Sequence, residues 1–302
     1  ANRRIDNMLG KEPETRPCNV PHIDSLLGGL PKRGLFTVIG HPGGGKTTWA
    51  LGAVLGAAKA NPIPVRVVSY EQDAIRTQAT LLSIESGQQI HGYLNTGEAP
   101  GAEEAREISE AMSRQHPLDF AMVDRSIDAP AIYREIATTH ARTGPGIVMV
   151  DYVQNLPGFG AFQEATPKIE ESCRILASIA RDFGWLVVMV SQPDKASSKH
   201  NSRPTAADAK GSSAIQQASD FIVYVWREHQ QEPCPASDGP ARQDWIRKQR
   251  KTEIGVVKNK YGKHGAEHVA LDTKRMAFRE PDAMEREAWG ISPEGSVEHE
   301  RL

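Results

Sequence analysis

The chain has 302 residues, of which 39% are hydrophobic and 25% charged, with a formal net charge of −2. That is enough chain for one large or two small domains, and too near neutral for a protein that coats nucleic acid over its whole surface. No apolar run approaches the ~20 residues of a membrane-spanning helix, and the first residues lack the apolar core of a secretory signal. Cys18, Cys173 and Cys234 lie far apart and the ten histidines are scattered. This pattern points to a reducing compartment and to no structural zinc.

Residues 1–17 are polar, with Ile5, Met8 and Leu9 at helical spacing, and read as a short linker helix. A turn-rich stretch, PHIDSLLGGLPKRG, leads into the apolar strand 35–39. Residues 40–48 then read GHPGGGKTT, a match to GxxxxGK[ST], and the helical stretch WALGAVL follows. Strand, glycine loop and helix in that order are the context a phosphate-binding loop needs. The glycines let backbone N–H groups close around phosphate oxygens, and the helix N-terminus adds partial positive charge. Gly40, Pro42, Gly43, Gly44, Gly45, Lys46, Thr47 and Thr48 are therefore candidate nucleotide contacts. Lys46 reaches the β- and γ-phosphates, and Thr47 is a ligand for Mg²⁺. The alternative, a glycine-rich turn that matches by chance, leaves the flanking strand and helix unexplained.

Further on, 64–70 (PVRVVSY) predicts a strand ending at Glu71, and 74–86 a helix. Residues 87–101 read as loop, 102–115 as a charged helix, 118–123 as a strand and 130–142 as a helix. The apolar strand 147–150 ends at Asp151; 167–183 is an amphipathic helix; the buried strand 186–190 ends at Ser191-Gln192. A long polar loop runs to about 212 and carries Lys195, Lys199, His200, Arg203 and Lys210. Strands follow at 221–226 and 254–258, and 269–271 with 276–278 close a terminal hairpin. Between them, 228–252 is polar and rich in Pro, Gln and charge, the composition of a mobile insertion. Strands alternate with helices and several are apolar without alternation, so the fold class is α/β. A mostly parallel central sheet with helices on both faces is expected, with an antiparallel edge where the late strands crowd together.

Three strands end in a residue that nucleotide hydrolysis needs, on the edge where α/β sheets bind ligands. Asp151 after four apolar residues is the Walker B arrangement, a carboxylate for the Mg²⁺ shell. Glu71 is placed to orient and deprotonate an attacking water. Gln192 is placed to hydrogen-bond the γ-phosphate. Each alone is a weak signal, since Asp after a strand is also a common helix cap; the order in combination with the loop at 40–48 is what carries weight.

These residues lead to a resemblance. From about 18 to 280 the chain is similar to the ATPase domain of DnaB-type replicative helicases. The matching segments are HIDSLLGGLPKRGLFTVIGHPGGGKTTWAL, SYEQ, VMVDYVQ, VSQPDK, DAKGSSAIQQASD and VVKNKYGKHG. The resemblance implies a RecA-like P-loop NTPase fold and an ATP-dependent helicase motor. It implies a homohexameric ring on single-stranded DNA moving 5′-to-3′, with ATP and Mg²⁺ between subunits. Lys258 and Lys260 would then act on a neighbour's γ-phosphate. The family has Lys-x-Arg where this chain has Lys258-Asn259-Lys260, and lysine lacks the planar fork of arginine. Arg247 and Arg250 are the other candidates for that task. DNA phosphates would be met by Lys195, Lys210, Gly211, Ser212 and Ser213. Arg227 would stack on the base, with Leu271 where relatives carry an aromatic. Residues 1–17 would be the subunit-docking linker, 18–281 the ATPase domain and 282–302 a polar tail, without the family's primase-binding N-terminal domain. Primase or a helicase loader is the implied protein partner, and membranes are not. The implied location is the cytoplasm of a bacterial, plasmid-bearing or phage-infected cell, with the mitochondrial matrix second. Two alternatives stay open: a filament-forming strand-exchange or annealing ATPase, and an ATP-gated DNA-binding or loading factor with weak hydrolysis.

Overall fold

Six strands run parallel: β3 (Gly34–Gly40), β4 (Val65–Ser69), β5 (Phe120–Val123), β6 (Ile147–Asp151), β7 (Leu186–Ser191) and β8 (Phe221–Trp226). In this computed structural model the described residues are 15–123, 125–193, 201–208, 212–236, 238–260, 262 and 264–291. Antiparallel strands β9 (Lys251–Asn259), β10 (Gly265–Asp272) and β11 (Ala277–Arg279) extend the sheet beyond β8. The full order is β11-β10-β9-β8-β3-β7-β6-β4-β5. A parallel sheet with an antiparallel edge is thus present, as the alternation of strands and helices implies.

Successive side chains of a strand point to opposite faces, and here both faces are buried. Phe36, Val38, Ile147, Met149, Leu186 and Val188 pack on one side, against the helix that follows β3, α2 (Lys46–Ala60, with α1 at Pro21–Leu27). Leu35, Ile39, Val148, Val150, Val187 and Met189 pack on the other. That face is covered by α6 (Ala129–Thr143), α7 (Ala165–Phe183) and α8 (Ser212–Ala218). The remaining helices α3 (Ala74–Ser86), α4 (Ile90–Thr96) and α5 (Ala102–Gln115) form a satellite cluster around Ala79, Leu82, Ile90 and Ala111. No helix among the described residues is long and apolar enough to cross a membrane.

Several expectations change. Residues 87–101 contain α4, because Ile90 has a core to enter and His91 pairs with Thr80 at 2.9 Å. The insertion at 228–252 is not without structure: α9 (Pro240–Arg250) lies within it, opened by Pro240. No α9 residue is buried, and polar anchors hold the helix instead. Trp245 Nε1 donates to Glu232 O at 3.1 Å, and Trp289 Nε1 donates to Arg247 O at 3.2 Å. Of the residues assigned to the tail, Ala283–Trp289 form α10, with an Asp282–Glu285 capping box, while 292–302, like 1–14 of the expected linker, lie outside the described residues. In α10, Glu285 is buried and accepts from Arg279 at 2.7 Å. Thr15–Arg16, within the expected linker, forms β1 and pairs with β2 (Leu30–Pro31).

One buried contact ties α1 to α2. His22 is 2% exposed, and its Nε2 accepts the indole N–H of Trp49 at 2.7 Å. Burial pushes the imidazole down to about 4, against an opposing pull from Asp24. Between the ordinary 6.5 and about 4, the unfolded chain binds a proton that the folded chain refuses. Stability should therefore fall as pH drops through that window, by on the order of 3 kcal/mol. His22→Gln keeps an acceptor for Trp49, and urea unfolding of this variant at pH 7 and pH 4.5 should lack that part of the loss.

Candidate nucleotide-binding site

Parallel register gathers the site. Ile39 lies opposite Ser191, Val190 opposite Asp151, and Asp151 opposite Ser69. The carboxyl ends of β3, β7, β6 and β4 thus share one edge, where an open α/β sheet binds ligands. At this edge the chain leaves β3 through 40–45 and enters α2 with Gly45 as N-cap. Gly43 (φ 71°) and Gly45 (φ 94°) adopt left-handed backbone, open to glycine and strained for other residues. A side chain at Gly45 would also meet Leu271 Cδ2 at 2.8 Å and Phe278 Cζ at 3.1 Å.

Lys46 and Thr48 are buried at the start of α2. Burial draws the Lys46 ammonium below its ordinary range, while the carboxylates of Glu71 and Asp151 hold it up. Thr47 Oγ1 donates to Asp151 Oδ2 at 3.0 Å. Asp151 is 1% exposed, and its Oδ1 is buried with no hydrogen-bond partner. Its carboxyl is pushed up to about 6, first by burial and then by the charge of Glu71; Lys46 and Thr47 work against this. A buried carboxylate with one oxygen fixed and the other unsatisfied fits a cation. The hydroxyl of Thr47 and the single carboxylate of Asp151 suit Mg²⁺, which takes few protein ligands and keeps phosphate oxygens and waters for the rest.

Glu71 stands exposed in the turn between β4 and α3. The turn is fixed by Gln72 N donating to Ser69 Oγ at 3.1 Å and by Asp73 capping α3. Tyr70 N donates to Asp151 O at 2.6 Å, which holds the ends of β4 and β6 together. Gln192 follows β7, half-buried. Here the sequence reading missed Gln154: its Nε2 donates to Ser191 Oγ at 2.7 Å and to Gln192 O at 3.2 Å. The available signal was its position three residues after Asp151. Also missed were His41, whose Nε2 meets Ser202 O at 2.8 Å, and Phe278 beside Gly45.

Arg227 reaches the same edge from the end of β8, buried, with Nη1 donating to Gly43 O at 3.2 Å. Lys258 and Lys260 do not join these residues. Lys258 Nζ donates to Gln216 O at 2.5 Å, and Lys260 Nζ pairs with Asp220 Oδ1 at 3.1 Å. Asp220 sits beside Leu35, at the foot of β3. At ~3.3 Å per residue, that is roughly 17 Å from the end of the strand. Arg250 is held by buried Glu285, and Arg247 by Asp244. Lys195, Lys210 and Gly211 lie outside the described residues; Ser212 and Ser213 open α8.

The family described as DnaB-like helicase C terminal domain matches residues 17–280. The chain belongs to this family. Among its relatives is the replicative DNA helicase DnaB of Haemophilus influenzae, 28% identical over 247 residues, covering 79% of this chain and 52% of that protein. DnaB of Rickettsia bellii is 26% identical over 282 residues, covering 85% and 55%. The chain thus spans about half the length of these relatives. The ATPase domain of G40P superposes with a TM-score of 0.79 at 18% identity, covering 92% of this chain and 96% of that one. A DnaB-like replicative helicase, solved in a study of its interactions with primase, gives 0.80 at 19% identity, covering 93% and 65%. The fold is therefore RecA-like α/β.

Within this family site, Gly45→Ala brings both the backbone strain and the approach of Leu271 and Phe278. Strain of ~1–3 kcal/mol, relieved by distorting the loop, should weaken nucleotide binding by roughly 10–100-fold. Titration with a fluorescent nucleotide, with circular dichroism to check the fold, measures this.

Proposed function

We propose that this chain is the ATP-driven motor of a DnaB-type replicative DNA helicase, acting as a homohexameric ring on single-stranded DNA in the 5′-to-3′ direction. The observation that carries the proposal is the meeting, at one sheet edge, of the glycine loop, Lys46, the Thr47–Asp151 pair and Glu71. Lys46 neutralises charge on the β- and γ-phosphates. Thr47 and Asp151 hold Mg²⁺, which when bound supplies charge neutralisation on the phosphates. Glu71 takes a proton from water as its oxygen attacks the γ-phosphorus and the β–γ bridging oxygen leaves with ADP. Gln192 senses the γ-phosphate, and Gln154 ties that response to the end of β7.

The position of Lys258 and Lys260 supports action between subunits. They lie at the opposite end of the parallel strands from their own phosphate loop, so the phosphate they serve belongs to a neighbour. Lys195, Lys210, Gly211, Ser212 and Ser213 contact DNA phosphates, which gives salt-dependent binding without sequence preference. Primase or a helicase loader is the protein partner, and the bacterial cytoplasm, including that of plasmid-bearing or phage-infected cells, is the location. One observation favours a second reading, an ATP-gated DNA-binding factor with slow turnover. Lys260 is engaged by Asp220 of its own chain and offers no bidentate fork to phosphate.

On a forked duplex, unwinding should require a 5′ tail and disappear in Lys46→Ala. Filaments on DNA without unwinding would contradict the ring, and DNA binding with negligible turnover would favour the second reading. Glu71→Gln should bind ATP yet lose about 100-fold or more of its hydrolysis. Near-normal turnover removes Glu71 from the base role. Lys260→Ala mixed with wild type should depress activity more than in proportion to its share, whereas simple dilution contradicts action on a neighbour.

A further inference from the structure

The phosphate loop of this chain contains three consecutive glycines, Gly43, Gly44 and Gly45. Glycine loses more backbone freedom on ordering than any other residue, so such a run needs support to hold one shape. Among the described residues, two of the hydrogen bonds that supply this support come from outside the loop, from the segment after β8. Gln230 Nε2 donates to Pro42 O at 2.7 Å, and Arg227 Nη1 donates to Gly43 O at 3.2 Å. Arg227 is only 7% exposed. Its Nη2 and Nε also donate to Gln249 O, at 2.6 and 3.2 Å, where α9 ends. The Gln249 amide returns to His229 O. Asn201 Nδ2 donates to the carbonyls of Arg227 and Glu228 at 3.0 and 2.8 Å, which fixes the segment in turn.

The carbonyl and N–H of one trans peptide point in opposite directions. Pinning Pro42 O on the outside therefore turns the Gly43 N–H inward. Pinning Gly43 O keeps the Gly44 N–H on His41 O at 3.0 Å, which closes the turn of the loop. Three of the five N–H donors of Arg227 are thus spent on two backbone carbonyls, Gly43 O and Gln249 O.

We propose that Arg227 and Gln230 are positioning residues that brace the phosphate loop through Gly43 O and Pro42 O, so that their contribution to affinity acts on the triphosphate and is blind to the base. The proposal rests on the nucleotide-binding role argued above and specifies how this chain keeps its glycine-rich loop in shape. It gives the segment after β8 a task at the phosphate end of the nucleotide.

The test compares dissociation constants of the full chain for Mg-ATP, Mg-GTP and Mg-tripolyphosphate, a ligand without base or sugar. Arg227→Ala should weaken all three by a common factor of roughly tenfold, and Gln230→Ala by a smaller common factor. Arg227→Lys keeps one donor for a carbonyl and should recover part of the loss for all three. A merely structural lesion would lower the fraction of protein that binds and leave the constant of that fraction unchanged. If Arg227→Ala weakens ATP and GTP but spares tripolyphosphate, Arg227 acts on the base and the brace is wrong. If neither alanine variant changes any constant, the brace is also wrong. Should Arg227→Ala fail to fold, Gln230→Ala carries the same comparison from a surface segment. Wild-type protein that binds none of the three ligands would instead overturn the nucleotide site itself.

Discussion

The 3.0 Å hydrogen bond from Thr47 Oγ1 to Asp151 Oδ2 joins residues 104 positions apart and sets the geometry on which the rest of the site depends. It exists because β3 and β6 flank β7 in parallel register, so that the helix leaving β3 and the last residue of β6 arrive at the same edge. The bond fixes one oxygen of a buried carboxylate and leaves the other unsatisfied. Such a group is unfavourable in the isolated fold: burial and Glu71 push Asp151 up to about 6. Unfavourable electrostatics of this kind concentrate where a ligand later supplies the missing charge. The stability of the sheet, buried on both faces, holds the arrangement in place.

Most of that edge was legible in the sequence, because it is written in local patterns. Short apolar and β-branched runs marked β4, β6 and β7, and each leads into a polar residue (Glu71, Asp151, Gln192) on the edge where the parallel sheet gathers them. What was not legible depends on contacts distant in sequence. The helix Ile90–Thr96 is only seven residues long, carries Gly92 inside it and ends at Gly97, and it becomes a helix by placing Ile90 in the cluster with Ala79 and Leu82. The helix Pro240–Arg250 buries nothing and is held by tryptophan and arginine bonds to partners up to 42 residues away. Composition alone made that segment look mobile. Gln230, inside it, reaches the phosphate loop 188 residues earlier, a pairing no local pattern encodes. Gln154 closes the run VMVDYVQ, but its contact with Ser191 and Gln192 follows only from the pairing of β6 with β7.

The sheet also imposes a division. Parallel strands have two unlike ends, and the chain places its phosphate cradle at one and Lys258 with Lys260 at the other. Both lysines are satisfied at the foot of the sheet by Gln216 and Asp220. They stand about five strand residues, roughly 17 Å, from their own loop. A complete hydrolytic site, on this account, needs a second copy, and a closed ring supplies one to every subunit. In the proposed ring, Lys260 falls on the half of the site that would come from the neighbour, where an arginine's planar fork would matter most.

The most direct measurement of this composite site is the native mass of the chain with and without Mg²⁺ and a non-hydrolysable ATP analogue. The account predicts a discrete assembly of six chains, populated or stabilised by the nucleotide. A monomer that binds the nucleotide at full affinity, or an open-ended ladder of masses, would contradict it.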